Sequence, residues 1–155
     1  MQTKLLTAAA ALVLLAACET TPDQSAASGA GQATGPRPGS QEDLVVNVGD
    51  RVFFDFDRST IRPDGQPTLA RQAEWLQRHG TVNVLIAGHA DERGTREYNL
   101  ALGQRRANAA RDFLVARGVA SARIQTISFG KDRPIALGSN EEAWAQNRVA
   151  ITSVR

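Results

Sequence analysis

A carboxylate, an amide and a guanidinium stand close together in the middle of the chain: Asp91, Asn99 and Arg106. Asn99 and Arg106 are two helical turns apart, with Leu102 and Gly103 between them on the same face. If that face looks back at the loop carrying Asp91, the side chains line one pocket. An aspartate accepts from an ammonium, and an arginine forks onto a carboxylate. Such a pocket suits a molecule bearing both charges, as the head group of an amino acid does. The spacing alone leaves a second outcome open. Asp91 can simply pair with Arg93, Arg96 or Arg106 on the surface, an arrangement worth only ~0–1 kcal/mol.

The elements that must position these groups are legible from pattern. Val82 to Ala87 is apolar and predicts a strand running into Gly88. The polar loop Gly88-His89-Ala90-Asp91-Glu92-Arg93-Gly94-Thr95 follows. Tyr98 to Arg117 predicts the longest helix, with Leu100, Ala107, Ala110 and Leu114 on one core-facing stripe, Phe113 beside it and Gly118 as its stop. A strand end, a tight loop and a helix start make a concave spot where side chains converge.

The flanking segments complete the fold. Leu44 to Val48 predicts a short edge strand closed by a turn at Gly49-Asp50. Arg51 to Phe56 is β-branched and aromatic and predicts a buried strand. A helical region begins at Ile61, with Leu69, Ala73 and Leu76 at helical spacing, Trp75 beside them and Gly80 ending it. Ile124 to Phe129 predicts a third core strand, Asn140 to Asn147 a short helix and Val149 to Val154 a last strand. The order β-α-β-α-β-(α)-β predicts an α/β fold, a two-layer sandwich of one mixed sheet with the two main helices on one face.

The beginning of the chain has another character. Lys4, then Leu5-Leu6 and Ala8 to Leu15, then Ala16-Ala17 read as a signal peptide over residues 1–17. The apolar run is short for a membrane span. Leu15-Ala16-Ala17-Cys18 resembles the lipobox of bacterial lipoproteins, in which the peptide is cut before the Cys and the thiol is acylated. That resemblance, with Glu rather than Asp at position 19, implies a lipid anchor on Cys18 in the outer membrane. Residues 18–42 are rich in Ala, Ser, Thr, Gly, Pro and Gln and predict a flexible tether. As a coil its root-mean-square reach is on the order of 25 Å. Residues 43–155 then form the folded domain.

Composition narrows the function classes. A net charge of +2 with acids and bases interspersed argues against nucleic-acid binding. Two His and the single Cys18 make a zinc site an unpromising expectation, and no Ser stands in a nucleophile-elbow motif. Asp55-Phe56-Asp57-Arg58-Ser59 resembles the nucleophile motif of the haloacid-dehalogenase phosphatases, which would make Asp55 a Mg²⁺-dependent phosphoryl acceptor. The only lysine beyond the signal peptide is Lys131, and no later acidic pair stands at a strand end to complete that chemistry. No enzyme, cofactor or metal is expected.

The run from Gly88 to Ala107, with Tyr98-Asn99-Leu100-Ala101-Leu102-Gly103-Gln104-Arg105-Arg106-Ala107 as its second half, resembles the signature of the OmpA-like peptidoglycan-binding domain. The similarity extends from about Val52 to Val154 and includes Phe53-Phe54-Asp55-Phe56-Asp57, Ile61-Arg62-Pro63 and Phe129-Gly130-Lys131 with Pro134. It implies non-covalent binding of the peptidoglycan stem peptide through meso-diaminopimelate. Asp91 and Arg106 would grip the zwitterionic end of that residue. Asn99 and Leu102 match other helix positions, and Phe56 and Asp57 would lend contacts from the first loop. The family pattern often reads Asn-Arg-Arg where this chain has Asn147-Arg148-Val149, so Arg148 is retained as a binding candidate and a second arginine is missing. His89 is expected to be structural. The resemblance also implies a protein partner, the periplasmic β-propeller TolB of the Tol envelope system, for which the same face could compete.

Overall fold

The computed structural model describes residues 35–155; the expected signal peptide, Cys18 and the expected tether up to residue 34 lie outside the described residues. Helix α1 (Gln41–Asp43) runs into a π-helical turn (Leu44–Val48), followed by β1 (Arg51–Phe53), α2 (Gln66–Arg78), β2 (Val84–His89) and α3 (Arg96–Ala116). A 3₁₀ turn (Ser121–Arg123), β3 (Ile124–Gly130), α4 (Glu141–Asn147) and β4 (Val149–Val154) complete the chain. The four strands form one mixed sheet in the order β1-β4-β2-β3, with β2 parallel to β3 and β4 antiparallel to both β1 and β2. The α/β expectation holds.

One core lies between the sheet and its helices. Val52 of β1, Val84 and Ile86 of β2, Ile124 of β3 and Ala150 of β4 pack with Leu69, Ala73 and Leu76 of α2 and Ala107, Ala110 and Leu114 of α3. On β2 the residue between the two core positions, Leu85, is only half-buried, as period-two alternation requires. Leu100, expected on the core stripe of α3, is half-buried too, whereas Leu102 is buried.

Leu44–Val48 is not the expected edge strand. Its buried positions are Leu44 and Val48, four apart, while Val45 and Val46 are exposed. A strand would have buried alternate residues. The Gly49 amide closes the π turn on the Leu44 carbonyl at 2.8 Å, with Gly49 at φ 95°. Asp43 fixes the turn from below: its carboxylate accepts from the Gly39 amide, the Asn47 amide group and the buried Trp75 indole. Those local bonds outweigh the β propensity of the valines. Ordered contacts reach back beyond Asp43, since the Gln41 side chain accepts from the Val154 amide at 2.7 Å.

Other boundaries shift for local reasons. β1 ends at Phe53 rather than Phe56, because Asp57 turns the chain through a left-handed conformation at φ 56°. Helix α2 starts at Gln66, not Ile61, after Arg62 forks onto Asp64 and its carbonyl accepts from the Gly65 amide. Strand β2 runs two residues later than expected and includes Gly88. Gly88 lies directly under Gly103 of α3: a methyl group on Gly88 would overlap the Gly103 carbonyl. Two facing glycines thus let the helix backbone touch the strand, which sets how far α3 side chains reach over the strand end.

Candidate functional site

The pocket forms at the carboxyl end of β2, where the loop 90–95, the start of α3 and the loop after β1 meet. Thr95 caps α3, its hydroxyl accepting from the Tyr98 amide at 3.2 Å. Gly94, at φ 92°, turns the loop into that cap. Asn99 is 2% exposed, and its amide group donates to the carbonyls of Arg93 and Thr95 at 2.8 and 3.0 Å. Asn99 therefore shapes the loop that presents Asp91.

Phe56, Asp57, Asp91, Asn99, Leu102 and Arg106 all line this pocket, together with Arg93, Gly94 and Tyr98. Six of the seven residues expected to bind are brought together. Arg148 does not line it. Arg148 is buried behind Asp91, where it donates to the Phe54 carbonyl, to Asp91 Oδ2 at 3.5 Å and to Glu141 at 2.6 Å. It braces the carboxylate from the side away from solvent. Val149, in the place of the second arginine, is fully buried and pairs with Phe53 across β4 and β1.

Arg106 is 0% exposed, which for a guanidinium demands full compensation. Its Nε donates to the Arg58 carbonyl at 2.8 Å, Nη1 to the His89 carbonyl at 2.8 Å and Nη2 to the Asp55 carbonyl at 3.1 Å. The cation thus fastens the loop after β1 to the end of β2. Burial pulls its pKa down to about 10, against the opposing charge of Asp91, so it stays protonated at neutral pH. All three of these bonds go to neutral carbonyls and none to a carboxylate. A guanidinium has five N–H donors, so two remain for something else.

Asp91 pairs with Arg93, one of the partners that spacing left open, but at 4% exposure the carboxylate is buried rather than on the surface. Oδ1 accepts from the Arg93 amide at 3.1 Å and from Arg93 Nε at 3.2 Å; Oδ2 accepts from Arg93 Nη2 at 2.6 Å and from Arg148. Burial pushes the carboxyl up, but the Arg93 bonds and charge, with Arg148, outweigh it and hold Asp91 below its ordinary range. Arg93 is itself sandwiched, its guanidinium 3.9 Å from the Phe56 ring centre and 4.2 Å from that of Trp144.

The remaining candidates take supporting places. Asp57 accepts from the Tyr98 hydroxyl, which holds the left-handed residue in position. Tyr98 was not among the sequence candidates; its spacing of four from Leu102 placed both on one helix face. His89 is buried, its Nδ1 donating to the Arg133 carbonyl at 3.0 Å, and burial lowers its pKa. Asp55 turns its side chain to solvent, 3.8 Å from Arg62, while its carbonyl serves Arg106. Among the described residues no group of three or more acids, His or Cys is gathered to hold the metal that a phosphoryl-transfer centre uses.

A mixed sheet with helices packed on one face, and a pocket of opposite charges at the end of its central parallel strand, define an OmpA-like domain. A model of the OmpA family matches residues 53–148, and the chain belongs to that family. It is 54% identical over 146 residues to the peptidoglycan-associated lipoprotein of Mesorhizobium japonicum, covering 93% of this chain and 87% of that one. It is 60% identical over 124 residues to the peptidoglycan-associated lipoprotein of Brucella melitensis, covering 80% and 72%. The crystal structure of the peptidoglycan-associated lipoprotein from Burkholderia pseudomallei superposes with a TM-score of 0.69 at 42% identity, covering 73% of this chain and all of that one.

Proposed function

We propose that this pocket binds the meso-diaminopimelate residue of the peptidoglycan stem peptide, and that the chain is a lipoprotein tying the outer membrane to the cell wall. The observation that carries the proposal is the buried cation of Arg106, hydrogen-bonded among the described residues only to neutral carbonyls, in a pocket that also contains Asp91. A buried guanidinium that feels the charge of Asp91 but hydrogen-bonds to no anion is an incomplete ion pair. The carboxylate of the ligand completes it, and the ammonium on the same carbon turns to Asp91. Phe56, Tyr98 and Leu102 supply apolar wall for the aliphatic part of the side chain. No bond is made or broken, and the proposed role is binding, not catalysis.

The similarity to peptidoglycan-associated lipoproteins supports the rest of this account. Cys18 is the acylated residue, and the tether lets the domain search a layer near the membrane. Multiple acyl chains satisfy the need for more than one anchoring signal, at roughly 0.8 kcal/mol per buried methylene. Many individually weak wall contacts then act together as a multivalent attachment. In this account a TolB-like periplasmic protein is the protein partner, within a Tol-Pal system supporting envelope integrity and cell division.

Sedimentation with isolated peptidoglycan tests the function. Wild-type protein is expected in the pellet and Asp91→Asn in the supernatant. Equal pelleting of both would remove Asp91 from the site, and failure of the wild type to pellet would remove the function.

A further inference from the structure

Asp91 cannot receive a new cation as it stands. A carboxylate offers about four lone-pair positions, and all are taken: three by Arg93 and one by Arg148. Arg148 is locked behind by the Phe54 carbonyl and Glu141. Of the two arginines that hold Asp91, Arg93 is the one that reaches solvent, its side chain 32% exposed while that of Arg148 is 8% exposed.

Arg93 is poorly placed to hold the carboxylate of a ligand. Its edge is spent on Asp91, its Nη1 stands 4.0 Å from Glu141, and its two faces are covered by Phe56 and Trp144. Arg106 is the reverse case, with neutral partners only. The two arginines of the pocket therefore have different tasks.

We propose that the Arg93 side chain is a built-in competitor, occupying the ammonium subsite at Asp91 until a ligand displaces it. This rests on the function proposed above. On binding, the ligand ammonium takes the two acceptor positions held by Arg93 Nε and Nη2. The freed guanidinium moves along its aromatic faces toward Glu141, so a charge is exchanged and none is left bare. A simple amine gains little from that exchange. A zwitterion gains the second contact at Arg106, so Arg93 makes the pocket select for ligands bearing both charges.

The test uses the full-length protein and a soluble stem peptide containing meso-diaminopimelate, with affinity read by calorimetry. Arg93→Ala is expected to bind about two- to fivefold tighter than wild type, the gain expected when a modest competing ion pair is removed. Arg93→Lys, which keeps a charge but loses the fork, is expected between the two. Weaker or unchanged binding by Arg93→Ala and Arg93→Lys, with wild type binding normally, overturns the competitor role and leaves the proposed function standing. A wild type that does not bind overturns both.

Discussion

Arg106 Nη1 donates to the His89 carbonyl at 2.8 Å, which ties the buried cation of α3 to the strand end two residues before Asp91. The same guanidinium holds the Asp55 and Arg58 carbonyls of the opposite loop. The group proposed to bind ligand is thus also the clamp that gives the pocket its walls. Arg106→Met leaves three carbonyls without their donor; the buried bond to His89 costs about 1–3 kcal/mol if unsatisfied, while Asp55 and Arg58 are exposed residues. The expected loss of stability is about 1–3 kcal/mol, read as a lower urea midpoint. Arg106→Lys, a point charge unable to serve three carbonyls at once, should recover only part of it.

Gly88 and Gly103 predict a second effect remote from any charge. Gly88→Ala places a methyl group on the Gly103 carbonyl, backbone against backbone, so α3 must lift from β2. The expected cost is roughly 2–3 kcal/mol of stability, with peptidoglycan retention reduced because Asn99 and Arg106 move with the helix. A urea midpoint equal to wild type would show that the sheet and helix can separate freely.

These two cases mark what the sequence made legible. The segments β2 to β4 and α3 were readable because each is a run of six or more residues rich in strand or helix formers. Leu44–Val48 was not, because its valines favour a strand while Asp43 bonds settle a helical turn through Trp75, 32 residues away. Asp91, Asn99 and Arg106 were readable as types at a spacing. The partners of Arg106 were not, since its carbonyl acceptors at Asp55 and Arg58 lie 51 and 48 residues away, in a loop whose left-handed turn is held by a tyrosine hydroxyl. The aromatic sandwich around Arg93 likewise draws on Phe56, from the loop after β1, and Trp144, from α4.

Asp43 makes the start of the domain sensitive to acid. Bonds from Asn47, Trp75 and the Gly39 amide lower its pKa from the ordinary 3.8 to about 2, burial opposing them. A depressed carboxyl stabilises the fold fully above the ordinary value, and that contribution is lost as pH falls from about 4 toward about 2. Asp43→Asn should melt several degrees below wild type at neutral pH. The gap between the two proteins should narrow across that acid window in a series of thermal melts.

Tyr98→Phe isolates the hydroxyl that holds Asp57. The residue is exposed, so little stability is at stake and the melting temperature should hardly move. Asp57 loses its anchor at φ 56°, and the first loop loosens over the pocket. Binding of the stem peptide should weaken about two- to fivefold, the loss expected for one hydrogen bond of ordinary net strength. Calorimetry at constant salt reads it directly.

The central claim is that the pocket recognises both charges of one amino-acid end. Lysine in the stem peptide keeps the ammonium and omits the neighbouring carboxylate, so comparing the two peptides tests the claim most directly. The affinity of the full-length protein for the peptide containing meso-diaminopimelate should exceed that for the lysine peptide by tenfold or more, or at least about 1.4 kcal/mol. Equal affinities would mean that Arg106 receives no carboxylate and that the pocket serves another purpose.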